Sequence, residues 1–81
     1  MIAKKLSELK IGQIGRITNL IADVKIKRRL LELGLTSGQQ VKILSMSPLK
    51  NSFLIALKSY SLCLRKSILN SVLVEIEKWN I

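Results

Sequence analysis

No histidine occurs in this chain of 81 residues. Its absence removes the side chain best suited to proton transfer near neutral pH, and the commonest metal-ligating nitrogen. Cysteine is nearly absent too. The single Cys63 excludes an internal disulfide and, without histidine, cannot assemble a zinc site. It lies between Leu62 and Leu64 in a strand-like run and points away from them, as a free thiol.

Acids are scarce and scattered: Glu8, Asp23, Glu32, Glu75 and Glu77. Glu75 and Glu77 share one face of a strand, but a hard cation needs several converging oxygens, so they read as solvated acids. No tight iron or zinc site and no cofactor are expected. The four glycines match neither phosphate-cradling pattern. The serines have no imidazole base to activate them. The chain reads as having no catalytic residue, and an enzyme is not expected.

Long apolar runs are missing as well. The longest uncharged segment is nine residues, Leu33 to Val41, too short to span a bilayer. The opening MIAKKLSELK has lysines but no apolar stretch behind them, so no signal peptide is expected. These features predict a soluble, cytoplasmic protein without membrane insertion. One Phe, one Tyr and one Trp leave little for stacking on bases. Tyr60 and Trp79 are far apart in sequence, and only one is near a basic cluster.

What the chain does have is positive charge and aliphatic side chains. Fourteen Lys and Arg against five acids give a formal net charge of +9. Nucleic acid, an anionic membrane surface or an acidic protein could each answer it, and solvated lysines account for part of it. The hydrophobic fraction of 48% suffices for the small core of one domain over residues 1–81.

The clearest local signal is Asp23 to Gly38, DVKIKRRLLELGLTSG. Asp23 suits an N-cap, because its carboxylate can accept from the unpaired N–H groups of a first helical turn. Ile26, Leu30 and Leu33 recur at i, i+4 and i+7. Lys25, Arg28, Arg29 and Glu32 fall on the opposite face. Gly34 suits a left-handed C-cap residue and Gly38 a turn. An amphipathic helix is predicted over Val24 to Leu33.

The remainder reads as strands at 16–21, 40–46, 53–58, 60–65 and 72–77, with single turns near Leu6 to Leu9 and Lys66 to Ser71. In the second strand Val41, Ile43 and Ser45 alternate onto one side. Ser47 to Ser52 is a turn cluster around the only proline, and Lys78 to Ile81 form a tail. Five short strands and one helix predict a small barrel or sandwich. The predicted core is Ile17, Ile26, Leu30, Leu33, Val41, Ile43, Leu62, Leu64, Val74 and Ile76.

Four blocks in order, LSELKIGQIGRI, KRRLLELGLTSG, SPL and YSLCLRKS, resemble the ferrous iron transport protein A (FeoA) family. They are also similar to the SH3-like domain appended to some iron-dependent repressors. The chain begins at Met1 without a helix-turn-helix, so a detached repressor domain is not expected. The resemblance implies a mainly β, SH3-like barrel with a helix after the first strand. It also implies a cytoplasmic accessory role toward the membrane ferrous iron transporter FeoB, whose cytosolic part carries a GTPase. The chain departs from the family pattern at Ser37, where proline is usual, at Lys50-Asn51-Ser52 in place of Gly-Asp-Pro, and at Lys58-Ser59 in place of Arg-Gly.

The expected partner-binding residues are Lys25, Arg28 and Arg29 on the helix, with Tyr60, Arg65 and Lys66. The alternative is a small basic barrel that binds nucleic acid. Few aromatics and no dense basic run count against it. Helix arginines could also pair with Glu75 or Glu77 across the barrel.

Overall fold

The computed structural model describes residues 2–76. Glu77 and the tail from Lys78, including Trp79, lie outside the described residues. The strands are β1 (Ile2–Lys5), β2 (Ile14–Leu20), β3 (Gln40–Met46), β4 (Ser52–Ala56), β5 (Ser61–Arg65) and β6 (Val72–Ile76). A 3-10 turn spans Leu6–Glu8, and the helices are α1 (Val24–Glu32) and α2 (Lys66–Leu69).

All strand pairs are antiparallel, in the order β1-β6-β2-β3-β4-β5. The sheet curls around one apolar core but is not closed, so β1 and β5 are its edges. Among the described residues there are therefore six strands rather than five. β1 escapes sequence reading because IAKK has no clean apolar alternation; what makes it a strand is backbone pairing, Ile2 to Lys5 against Ile76 to Leu73.

Six residues of the predicted core are buried: Ile17, Leu30, Val41, Ile43, Val74 and Ile76. Four are not. Ile26 is 37% exposed, and Leu33, Leu62 and Leu64 are half-buried. The last two sit on β5, which has a neighbour on one side only. In their place Leu6, Leu9, Leu20, Leu35, Phe53, Ile55, Leu57, Leu69 and Val72 complete the core. Leu6 and Leu9 come from the 3-10 turn and its exit, and Leu69 from α2.

Ser45 does not continue the inward row of β3. The β3–β4 register shifts between Ile43, opposite Ile55, and Ser45, opposite Leu54. Leu44 is the extra residue of a bulge, which reverses the alternation after it. Ser45 is exposed as a result. Cys63 is exposed between half-buried Leu62 and Leu64, as alternation predicts.

α1 is fastened at both ends. Asp23 Oδ1 accepts from Ile26 N at 2.9 Å. At the other end Gly34 adopts φ +97°, Gly34 N donates to Leu31 O at 3.0 Å and Leu35 N to Leu30 O at 3.0 Å. This is a Schellman cap, in which the apolar contact between Leu30 and Leu35 seals the helix end. Asp23→Ala should cost ~0.5–2 kcal/mol by orphaning a first-turn N–H. For a protein of this size the melting temperature should fall by about 4–8 °C per kcal/mol, read by calorimetry. An unchanged melting temperature would mean that water replaces the cap without loss.

Candidate interaction surface

The chemistry of this surface starts from how little of α1 is buried. Leu30 is its only buried residue. Ile26 and Leu33 lie on the same stripe as Leu30, yet Ile26 is 37% exposed and Leu33 half-buried, so the core covers the stripe only in part. The other faces point to solvent. Lys25, Ile26, Arg28, Arg29 and Glu32 line a shallow groove of about 370 Å³ along the helix. Three guanidinium and ammonium groups in it face one carboxylate, so its field is positive. Arg29 also stands in the last turn, where a cation complements the carbonyl end of the helix.

Two exposed apolar residues join these cations. Val24 is 74% exposed and Leu31 is 44% exposed. They stand at i and i+7, with Lys27 and Arg28 between them at i+3 and i+4, so the four share one outward stripe. Reading the sequence for its main apolar stripe missed both. The signal was available: Val24 and Leu31 have apolar spacing of their own, off the Ile26–Leu30–Leu33 line.

Tyr60 is 45% exposed and has a structural duty. Its hydroxyl donates to Leu33 O at 2.6 Å, one of the carbonyls that the helix itself leaves unpaired. Backbone Leu57 N donates to Tyr60 O at 2.7 Å and closes the β4–β5 turn. Tyr60 therefore latches the C-terminal end of α1 to that turn, and its ring borders the helix surface.

Arg65 and Lys66 are elsewhere. They stand at the far end of β5 from Tyr60, about 16 Å away at the rise of an extended chain. There they line a second groove, of about 420 Å³, with Asn51, Ser52 and Ser67. The six expected partner-binding residues thus fall into two groups: Lys25, Arg28 and Arg29 with the Tyr60 latch, and Arg65 with Lys66. Glu75 is not opposite α1 in the ladder. Its strand partners are Arg16 of β2 and Ala3 of β1. Among the described residues no three His, Cys, Asp or Glu side chains gather as metal ligands would.

The FeoA domain family matches residues 4–76. The structure is similar to that of a FeoA-like protein from Clostridium acetobutylicum, at 25% identity and a TM-score of 0.89, covering 100% of this chain and 94% of that one. It is similar to FeoA from Chlorobium tepidum at 31% identity and a TM-score of 0.86, covering 96% of this chain and 74% of that one. The third similar structure is the zinc complex of Stenotrophomonas maltophilia FeoA, a prokaryotic SH3 domain protein. Its identity is 26% and its TM-score 0.76, covering 93% of this chain and 91% of that one. No curated protein sequence matches the chain. A family match over nearly all the described residues, on a six-stranded SH3-like sheet with its helix after β2, makes this chain a member of the FeoA family, which is associated with ferrous iron transport.

Proposed function

We propose that this protein is a cytoplasmic accessory of ferrous iron uptake and acts by docking the outward face of α1 onto the cytosolic part of the transporter FeoB. One observation carries the reading. α1 is fastened by a cap at each end and by Tyr60, yet buries only Leu30. A helix so firmly held and so little used by the core is a rigid platform. Val24 and Leu31 supply apolar anchors, and Lys25, Lys27, Arg28 and Arg29 supply a cationic border. That division suits a protein interface, where desolvated anchors hold and rim charges steer. The mode of action is contact, not turnover, and no residue is assigned a catalytic role.

The test is binding to the transporter's cytosolic domain, with and without guanine nucleotide. Arg28→Glu with Arg29→Glu should slow association and flatten its salt dependence, because reversed charges remove the steering. Val24→Ser with Leu31→Ser should speed dissociation, by roughly tenfold or more for two anchors. Both variants should keep the wild-type fold, since none of the four side chains is buried. Binding by both variants equal to wild type would place the contact elsewhere. Steeply salt-dependent binding to any oligonucleotide, with none to the transporter domain, would favour a nucleic-acid partner instead.

A further inference from the structure

The loop between β3 and β4 is built to hold an apolar side chain out of the molecule. Leu49 is 83% exposed, the most exposed large apolar side chain among the described residues. The backbone that carries it is pinned by hydrogen bonds. Ser47 N donates to Ser52 O at 2.9 Å and Lys50 N to Ser47 O at 2.8 Å. Ser47 Oγ accepts from Asn51 N at 3.1 Å and Ser52 N at 3.2 Å, and donates to Asn51 Oδ1 at 2.7 Å. Lys50 turns the chain at φ +58°, a left-handed conformation that a lysine rarely adopts. The ordering cost of presenting Leu49 is therefore met before any partner arrives.

Two further cations come from the strand paired with the base of this tip and the residue after it. Arg65 is the cross-strand partner of Ser52, and Lys66 N donates to Asn51 O at 2.9 Å. With Lys50, next to Leu49 in the chain, they put three cationic residues at this end of the sheet. The groove beside Arg65 and Lys66, lined also by Asn51, Ser52 and Ser67, has hydroxyl and amide groups and no carboxylate.

We propose that this tip docks on an anionic membrane surface, with Leu49 entering the headgroup region and Lys50, Arg65 and Lys66 meeting lipid phosphates. The shape favours a lipid surface over a protein pocket. A lone projecting aliphatic chain with long cations behind it needs a soft planar partner that closes around it. Anionic lipid supplies both the apolar layer and the mobile negative charge. The site is independent of the α1 platform. Tyr60 anchors the end of α1 at the β4–β5 turn, and the tip enters β4 at its opposite end, where Ser52 pairs with Arg65 of β5. One end of the molecule can thus hold a protein while the other rests on lipid.

The test is co-sedimentation of the full chain with vesicles of phosphatidylcholine alone or mixed with phosphatidylglycerol, at low and physiological salt. Binding is expected only to the anionic vesicles. Leu49→Ser, which leaves the charge untouched, should weaken it about threefold or more. Lys50→Gly, Arg65→Gln and Lys66→Gln should each weaken it about fivefold, and the glycine relieves the strained backbone. Arg28→Glu with Arg29→Glu, a larger change in net charge on another surface, should weaken it less than the three tip variants combined. An environment-sensitive dye on Leu49→Cys, in a Cys63→Ser background, should shift its emission to the blue on anionic vesicles. Equal loss from the helix and tip variants would reduce the effect to net charge and overturn the proposal. So would an unshifted dye, or an unchanged Leu49→Ser.

Discussion

Gly34→Ala is expected to destabilise the protein by about 2–4 kcal/mol, more than its single added methyl group suggests. Two costs combine. Gly34 holds φ +97°, where a residue with a Cβ is strained by ~1–3 kcal/mol. A Cβ built there would also lie 1.9 Å from the Tyr60 hydroxyl oxygen. The tyrosine must leave, and its bond to Leu33 O goes with it, which adds roughly 0.5–1.5 kcal/mol. Tyr60→Phe isolates that last part and should cost only the lost bond. Combining Gly34→Ala with Tyr60→Ala should cost less than the two separately, because the clash is shared. Denaturant titration of the wild type, the three single variants and the double variant reads all of this. Strict additivity would show that the ring and the glycine do not compete for the same space. Loosening this end of α1 should also weaken transporter docking if α1 is the platform.

Leu30→Ala carries the second large effect, a loss of ~2–5 kcal/mol. Leu30 is 2% exposed and is the one side chain by which α1 enters the core. It packs in the cluster that includes Leu35, so truncation opens a cavity beneath the Schellman cap. A small core leaves little reserve. Typical stabilities are ~5–15 kcal/mol, and a short chain stands toward the lower end. The variant should therefore shift the denaturation midpoint sharply, and its slope should stay near wild type if the fold remains two-state. Ile26→Ala is the companion measurement. Ile26 shares the stripe but is partly exposed, so its truncation should cost less than half as much. Equal losses at the two positions would mean that α1 turns Ile26 into the core as fully as Leu30.

Some of this protein was written locally in its residues. The caps of α1, Asp23 and Gly34, were legible because each satisfies orphaned backbone groups within a few residues of itself. β3, the α2 turn and the last strand were legible for the same reason: alternation and turn chemistry are short-range. The resemblance to the FeoA family was carried by four blocks, and the family match over residues 4–76 agrees with it. What the residues could not reveal depends on partners distant in sequence. β1 is a strand because β6 offers it a backbone ladder more than sixty residues away. Ser45 faces out because Leu44 bulges against β4. Ile26 stays exposed because α1 turns only Leu30 fully into the core, a depth of packing that helical periodicity cannot encode. The candidate surfaces divide in the same way. The basic face of α1 was plain from spacing. Val24 and Leu31 had a spacing of their own in the sequence, but that they stay uncovered was decided by the tertiary fold. Arg65 and Lys66 part company with Tyr60 because β5 runs between them, a separation that five residues of sequence make look small and an extended backbone makes long.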